Sequence, residues 1–405
     1  MMVSQQDRYD IYWEICGKES YYRDASYYDQ PCLITPARFA EFERLQQLLY
    51  KAFRFFLPRF HQYTHILEYS EKATEILGYY NLREVPVGHY RPDFLVQADG
   101  QIKLYGIDAY SYESYWRHGV TEYVMEKRCG CRSSLNGKRV IERIIDGVYI
   151  WWGGLEKSLS IMQGKSPEGD ISLYRSYLLE TGTELHYLYP DTISNQLRML
   201  IDGPLLCTLS NAELEELQSD AIEAIANADC LNPLSTIFLL GDNRFLAVLW
   251  DDDFLAEAFS PDDAAFLKSF LIPTYTRKQR ADLWEEAYHN KDNYILKPQL
   301  PGKSSESIYG LHVEENVWKN TFDSPLIRNM VLQRRICQKT FHGSIDGQSF
   351  KDLGTGSMLC FEDELQGLGA FRMSGSEAPE FEDSRSMAPW ITDSVEGYER
   401  DYLVL

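Results

Sequence analysis

Two segments of the sequence carry residue types that could do chemistry, and the first combines one arginine with two aspartates. Arg91 and Asp93 stand two positions apart, so in a strand their side chains would share a face. The turn signal Asp99–Gly100 predicts a hairpin that brings Asp108 back beside them. Paired carboxylates suit Mg²⁺ bound together with substrate phosphates, and an arginine could stabilise a developing anion. The alternative is an ordinary structural ion pair on a hairpin.

The second segment places a lysine in an apolar strand and follows it with a loop of small residues. Lys297 lies in the run Tyr294–Pro298, and the loop after it includes Gly302, Ser304 and Ser305. A lysine ammonium is a compact charge suited to phosphate oxygens, and backbone N–H groups of such a loop can approach an anion. The segment indicates a phosphate site; the alternative is a surface hairpin with a lysine at its edge.

Helix start signals divide much of the remaining chain into short helices. Each signal is a serine or threonine that can cap the helix N-terminus, and several are followed by proline or by glutamate three residues on. The signals predict helices that begin after Thr35, Ser70, Ser210 and Ser260, and one from Thr276 to about His289.

Apolar runs separated by turns predict strands elsewhere, and together with the helices they indicate an α+β fold with antiparallel sheets. Residues 236–240 and 245–250 are short apolar runs typical of buried strands, and residues 148–152 indicate a further sheet-like region. From Tyr294 onward, short strands and glycine-rich turns dominate. The stretch 377–401 holds eight acids and two bases, which is typical of a mobile acidic tail or, alternatively, of an active-site flap.

The balance of charges excludes several classes of partner. The 405 residues include 61 Asp and Glu against 40 Lys and Arg, a formal net charge of −21 with histidine neutral. So acidic a chain repels phosphate backbones and anionic membrane surfaces, and we expect neither a nucleic acid nor a membrane as partner. Apolar residues make up 44% of the chain, enough for a large core, which argues against disorder.

No segment of the sequence has the pattern of a targeting or membrane-spanning element. Residues 1–10 lack the apolar run of a signal peptide, and polar residues interrupt the most apolar stretch, 234–250. We therefore expect a cytoplasmic protein with reduced cysteines. His61 and His65 have a spacing that can hold a metal, but no acid or cysteine nearby completes a site, so we expect packing or surface roles for them.

Taken together, the two chemical segments resemble those of the ATP-grasp enzymes. The stretch from Arg91 to Asp108 is similar to the metal-binding strand pair of D-alanine–D-alanine ligase and its relatives, and the Lys297 segment is similar to their phosphate-binding lysine and loop. Val331–Gln333 is similar to the strand that supplies the adenine-binding hinge. The lysine segment comes first in those enzymes but second here, an order that resembles the circularly permuted branch, which includes glutathionylspermidine-synthetase-like ligases.

Two further stretches resemble parts of that branch. Residues 242–274 resemble its pre-ATP-grasp region, and residues 356–372 resemble its closing strands. The resemblance implies an ATP-grasp fold in circularly permuted order with an added pre-ATP-grasp α/β lobe. It also divides the chain into N-terminal helices with a metal-binding lobe (1–135), a substrate lobe (136–290), a nucleotide-binding lobe (291–376) and an acidic tail (377–405).

The resemblance further implies an ATP-dependent carboxylate–amine ligase that uses ATP and Mg²⁺. Such enzymes phosphorylate the carboxylate of a small molecule or short peptide, and an amine substrate then attacks the acyl phosphate. A homodimer is compatible with this function. The implied roles are phosphate binding for Lys297, the loop over the nucleotide for Gly302, Ser304 and Ser305, the adenine hinge for Gln333, Mg²⁺ binding for Asp93 and Asp108, and stabilisation of the acyl phosphate for Arg91 and Arg372.

One position departs from the family pattern. The second strand of the metal site normally reads Glu-x-Asn, whereas this sequence has Gly106–Ile107–Asp108. Asp108 can replace the asparagine as an oxygen ligand, but Gly106 cannot replace the bridging glutamate, and Glu113 is a nearby acid that could substitute. Three functions stay open: an active ligase with an altered metal site, a catalytically silent ATP-grasp protein that binds a nucleotide or a partner, and a protein that binds no nucleotide.

Overall fold

The computed structural model describes ten stretches of the chain, and every structural statement below concerns those stretches. Within them the chain forms four β-sheets with helices packed against them. The described residues are 26–109, 118–119, 121–122, 140–153, 158–164, 183–190, 203–300, 307–377, 385–392 and 403–405.

The helices begin where the sequence supplies caps, which confirms the four start signals. Thr35, Ser70 and Ser260 each accept a hydrogen bond from the backbone N–H three residues further on. Ser210 forms a reciprocal capping box with Glu213. The helices are α1 (Pro36–Phe56), α2 (Glu71–Gly78), α3 (Val140–Trp151), α4 (Asn211–Glu215), α5 (Ser219–Asn227), α6 (Leu234–Leu240), α7 (Phe245–Leu249), α8 (Asp252–Ala258), α9 (Pro261–Phe270), α10 (Ala281–His289) and α11 (Glu315–Asp323).

The three predictions of strands at 148–152, 236–240 and 245–250 are wrong, because these residues lie mainly in α3, α6 and α7. Every residue of α6 and α7 is buried, so neither helix has the polar face that produces a period of 3.6. In α3 the aromatic residues have a high strand propensity, so this helix was also wrongly predicted as a strand. The predicted helix 276–289 ends as expected but starts later, at Ala281, after a turn.

The strands of the described stretches form two antiparallel and two parallel sheets. The strands are β1 (Cys32–Ile34), β2 (His89–Val96), β3 (Ile102–Asp108), β4 (Ser158–Met162), β5 (Glu184–Leu188), β6 (Pro204–Cys207), β7 (Asp229–Leu231), β8 (Thr274–Tyr275), β9 (Tyr294–Pro298), β10 (Ile308–Tyr309), β11 (Met330–Arg334), β12 (Thr340–Ile345), β13 (Gln348–Phe361), β14 (Glu364–Leu368), β15 (Phe371–Ser374), β16 (Arg385–Met387), β17 (Pro389–Ile391) and β18 (Leu403–Val404). The largest sheet has the order β16–β15–β13–β2–β3, with β12 and β14 also paired to β13, and the second antiparallel sheet has the order β10–β9–β11–β8. The parallel sheets are β5–β4–β6–β7 and β17–β1–β18.

Two hydrophobic cores hold the antiparallel sheets in place. In the larger core, the buried face of α1 packs on β2 and α7, with Phe42 4.9 Å from Phe94 and Phe56 4.6 Å from Phe245 between ring centroids. A smaller core lies behind the β10–β9–β11–β8 sheet and is centred on Trp284 and other fully buried side chains of that lobe. Each sheet therefore has its own support, and the faces not buried in these cores are left to form a site.

The structure corrects the prediction of a mobile acidic tail for the described parts of residues 377–405. Arg385–Met387 pairs with β15, and Pro389–Ile391 and Leu403–Val404 pair with β1 near the other end of the chain. The ion pair between Arg385 and the buried Asp352 ties the first of these strands to the large sheet, at 2.7 Å for both contacts. Pairing between distant parts of a chain leaves no local sequence signal. The prediction of a mobile tail rested on charge alone and was therefore wrong for these residues.

The large sheet draws its strands from three of the four predicted segments. It takes β2 and β3 from residues 1–135, β12 to β15 from residues 291–376, and β16 from residues 377–405. The segment boundaries themselves remain a prediction.

The described residues also bear on the predictions for membrane-spanning helices, for two histidines and for the cysteines. No helix in the described stretches is both long enough and apolar enough to cross a membrane. His61 and His65 make ring contacts with Phe60 and Tyr63, respectively. The described cysteines are free thiols, namely Cys32, Cys207, Cys230, Cys337 and Cys360.

Replacing Gly356 with Ala tests the packing that supports the candidate site. A Cβ at position 356 of β13 would lie 2.3 Å from Cζ of the buried Phe94 and 2.8 Å from Cε1 of the buried Phe371. We expect a loss of about 1–3 kcal/mol in the free energy of unfolding, measured in urea, because the rings have no space to move into. Gly78→Ala is the control, since a Cβ there meets nothing within 4 Å; equal stability of the two variants would contradict this packing.

Candidate functional site

Three charged side chains meet on the hairpin of β2 and β3. The strand register places Arg91 opposite Asp108 and Asp93 opposite Gly106. The Arg91 guanidinium reaches both acids: Nε lies 2.8 Å from Oδ1 of Asp93, and Nη2 lies 3.0 Å from Oδ2 of Asp93 and 3.2 Å from Oδ2 of Asp108. The hairpin thus brings the two predicted carboxylates together, with an arginine bonded to both of them.

A second arginine reaches the same group from another strand of the large sheet. Arg372 lies on β15, and its Nη2 lies 3.6 Å from Oδ2 of Asp93. The same Nη2 donates a hydrogen bond of 2.9 Å to the hydroxyl of Tyr105. Arg91 and Arg372 therefore both contact the carboxylate of Asp93, which stands between them.

The predicted phosphate lysine approaches from the second antiparallel sheet. Lys297 lies on β9, and its Nζ donates a hydrogen bond of 2.5 Å to the backbone carbonyl of Tyr105 on β3. The same Nζ lies 4.8 Å from the centre of the Tyr105 ring, within the range of a cation–π contact. A Cβ built on Gly106 would lie 3.6 Å from this Nζ. Lys297 therefore connects the two sheets, and the region between them at Lys297, Tyr105 and Gly106 is called the cleft below.

Gln333 lies on the same face of the second sheet as Lys297. The register pairs Val331 with Lys297, and residue 333 is two positions further on, so the two side chains point the same way. Its amide nitrogen donates to the Tyr105 carbonyl at 3.3 Å and to the Thr274 hydroxyl at 3.0 Å. The predicted adenine-hinge residue is thus buried at the cleft, beside the lysine.

Tyr105 is the site residue that the sequence did not reveal, and a β-bulge puts it there. The register of β2 and β3 runs from the pair Asp93–Gly106 to the pair Phe94–Leu104, so Tyr105 is an extra residue without a partner opposite. A bulge interrupts the alternation of faces and re-aims a side chain. Tyr105 and its neighbour Gly106 consequently both face Lys297, and no local pattern in the sequence marks that change.

Burial controls the charge of Lys297. Only 8% of the residue is exposed, and burial lowers the pKa of its ammonium to about 8, while the nearby Asp93 acts in the opposite direction. Burial also raises the pKa of the Tyr105 hydroxyl, and Arg372 opposes that shift. Among the described residues, the site therefore combines three basic side chains, Arg91, Lys297 and Arg372, with two acidic ones, Asp93 and Asp108.

A short buried loop fixes the end of the strand that carries Lys297. Asn243 donates to the carbonyl of Pro298 through Nδ2 at 2.8 Å and to that of Gln299 through its backbone N–H at 2.7 Å. Asp242 accepts from the Gln299 amide at 3.2 Å and from the Arg244 guanidinium at 2.7 Å. The stretch that resembles the pre-ATP-grasp region thus positions the lysine strand.

A second ionic link joins the two antiparallel sheets. Arg335 follows β11, Glu377 follows β15, and the guanidinium makes two contacts with the carboxylate, at 2.8 and 2.6 Å. His312 adds a contact of 3.5 Å to the same carboxylate. Together with Lys297, the ion pair of Arg335 and Glu377 links the two antiparallel sheets.

Several predicted residues lie outside the described stretches. They are the loop residues Gly302, Ser304 and Ser305, and the acid Glu113 that could substitute at the metal site. Their predicted roles stay predictions.

The described residues do not fit a bound Mg²⁺. Both oxygens of Asp93 and one oxygen of Asp108 accept hydrogen bonds from Arg91, so a cation placed between the acids would face a guanidinium. Mg²⁺ is usually bound by one or two carboxylates together with phosphates, and it requires near-octahedral oxygens. Across the described stretches, no group of three or more His, Cys, Asp and Glu side chains is placed to hold a metal.

Comparison with known proteins relates this chain to others through its fold. No protein-family model matches the chain, and no curated protein sequence matches it. Solved structures do match, among them a glutathione synthetase-like effector from Globodera pallida, determined in its apo form. The TM-score is 0.61 over 96% of each chain, with 12% identical residues.

The chain therefore has a glutathione synthetase-like fold. This finding agrees with the ATP-grasp type of fold that the sequence motifs resemble. A shared fold at this identity does not carry an activity with it, because function depends on the residues of the site.

Proposed function

We propose that this protein binds ATP in the cleft between its two antiparallel sheets and does not turn it over in Mg²⁺-dependent ligation. The observation that carries the proposal is the convergence of Arg91, Lys297 and Arg372 from three separate strands on Asp93 and Tyr105. In a chain of net charge −21, a buried cluster with more cations than acids is suited to a polyanion.

The arrangement of the cleft supports a nucleotide as that polyanion. In this proposal Lys297 exchanges its bond to the Tyr105 carbonyl for phosphate oxygens, and Gln333, which lies on the same face of the sheet, exchanges its bonds for the adenine ring. The strand pair and the lysine strand meet in one cleft although the chain order is inverted, as in the circularly permuted ATP-grasp proteins. Permuted order is therefore part of the proposal.

The active ligase is the second candidate function. The observation in its favour is that Arg91 and Lys297 lie in one cleft, where they could stabilise an acyl phosphate formed from a small-molecule or peptide carboxylate. An amine would then attack it. Gly106 and the pairing of the aspartates with Arg91 argue against an active ligase, because both disfavour Mg²⁺ binding. Such a reaction relies on Mg²⁺ to neutralise developing charge.

A thermal shift experiment tests the proposal. A ligand that binds only the folded chain raises stability by about 2.7 kcal/mol at a hundred times its Kd, so saturating ATP should raise the melting temperature clearly. No shift would contradict nucleotide binding. A shift together with ADP release on adding panels of acids and amines with Mg²⁺ would instead favour the ligase.

ATP binding should weaken as the pH rises through about 8. The pKa of Lys297 is lowered to about 8 in the free protein, so the charged form that binds phosphate is lost above that pH. We expect up to about tenfold weaker binding per pH unit above 8, with net proton uptake on binding, both measured by calorimetry in two buffers. Lys297→Arg should flatten the profile because a guanidinium stays charged; a flat wild-type profile would contradict the role of this lysine.

A further inference from the structure

We propose that this cleft binds the phosphates of its ligand without a divalent metal, because arginines of the chain already pair with both acids and glycine stands at position 106, where the metal-binding strand normally has glutamate. The proposal rests on the proposed nucleotide binding and adds to it the ionic form of the ligand, which is free ATP and not its Mg²⁺ complex. Three features of the described residues support it.

The first feature is that the two carboxylates already have cationic partners. Asp93 and Asp108 share Arg91, and Asp93 also faces Arg372 at 3.6 Å. The acid side chains and Arg91 are only about a tenth exposed. A metal would have to displace a buried guanidinium from its partners, and removing a partner from a buried ion pair costs about 3–5 kcal/mol. The acids therefore orient the arginines and do not form an open metal site.

The second feature is the missing side chain at position 106. Gly106 lies opposite Asp93 in the register, and a side chain there would approach Nζ of Lys297. Like charges on directly opposed positions repel, so a glutamate here would require a cation between itself and Asp93. With glycine that requirement disappears. Lys297 takes the ring and carbonyl of Tyr105 as partners in place of a carboxylate.

The third feature is the resulting charge. Among the described residues, Arg91, Lys297 and Arg372 oppose Asp93 and Asp108, which leaves one net positive charge on these five side chains. Free ATP carries more negative charge than its Mg²⁺ complex and is attracted more strongly by such a cluster. Mg²⁺ should therefore compete for the ligand and not assist its binding.

Calorimetric titration of the full chain with ATP, once in EDTA and once in excess Mg²⁺, tests the inference. We expect binding in EDTA with a Kd equal to or lower than that in Mg²⁺. Binding that requires Mg²⁺, or is tightened about tenfold or more by it, would overturn metal independence while leaving nucleotide binding intact. Absence of binding under both conditions would overturn the proposed function and this inference with it.

A gain-of-metal variant sharpens the test. The double variant Gly106→Glu, Arg91→Gln adds a carboxylate opposite Asp93 and removes the guanidinium that occupies Asp93 and Asp108. We expect it to bind Mn²⁺ in the presence of ATP, detected by electron paramagnetic resonance. The wild type and Gly78→Glu, which adds the same charge on α2 where a Cβ meets nothing within 4 Å, should not bind Mn²⁺ more tightly than ATP alone does. Protein-bound Mn²⁺ in the wild type would overturn the inference, and the wild-type titrations decide it even if the double variant does not fold.

Discussion

Replacing Lys297 with Ala should weaken ATP binding by about tenfold to a hundredfold, measured as Kd by calorimetry. The substitution removes a charge-assisted hydrogen bond to phosphate, worth about 1.5–3 kcal/mol, from a site where the residue is 8% exposed. The fold should tolerate the change, because burial already disfavours the ammonium and lowers its pKa to about 8. The melting temperature without ligand should therefore not fall by an amount that explains the loss of binding.

The matched control is another lysine of the same lobe. Lys319 lies on the surface of α11, where it pairs with the exposed Glu315 at 2.5 Å. Such surface pairs contribute little because solvent screens them, so Lys319→Ala should leave the Kd for ATP unchanged. Equal binding by Lys297→Ala and wild type would show that Lys297 is not the phosphate lysine. Loss of binding in both variants would point to a general electrostatic effect.

Replacing Asp242 with Ala should cause the largest loss of stability, about 3–5 kcal/mol in the free energy of unfolding. Asp242 is 1% exposed and accepts hydrogen bonds from the backbone and the guanidinium of Arg244, which is 4% exposed. Burial raises the pKa of Asp242 and Arg244 opposes that shift, so the pair is costly to bury. It is more costly to break, because the remaining guanidinium would be buried without its carboxylate.

The same variant should also affect the site. Asp242 accepts a hydrogen bond from Gln299, directly after the strand of Lys297, so its loss should loosen that strand and weaken ATP binding. Asp282→Ala is the control, because its pair with Arg280 is exposed and its loss should change the free energy of unfolding very little. Urea unfolding measures both variants. A loss below about 1 kcal/mol for Asp242→Ala would show that the buried pair does not hold the loop.

Local signals in the sequence predicted the elements that depend on neighbouring residues. The caps at Thr35, Ser70 and Ser210 act within one helical turn, and the hairpin at Asp99–Gly100 joins strands adjacent in the chain. The hairpin was enough to place Arg91 near both aspartates. The convergence with Lys297 came only from resemblance to a family, since two hundred residues separate the segments.

The features that the sequence did not predict depend on distant parts of the chain. The helices α6 and α7 are buried all round, so their apolar runs look like strands. The strands at the C-terminal end pair with β1 and β15, which no local pattern indicates. Tyr105 entered the site through a single extra residue in β3. That bulge determines which groups surround Lys297. It therefore also determines how the predicted metal site is interpreted.

A crystal structure of the full chain grown with saturating ATP in EDTA tests the central claim most directly. We expect a triphosphate in the cleft between the two antiparallel sheets, within hydrogen-bond distance of Nζ of Lys297, with Arg91 still bonded to Asp93 and no metal between the acids. We also expect the adenine beside Gln333. A nucleotide bound elsewhere, or an empty cleft in which Lys297 keeps its bond to the Tyr105 carbonyl, would contradict this claim.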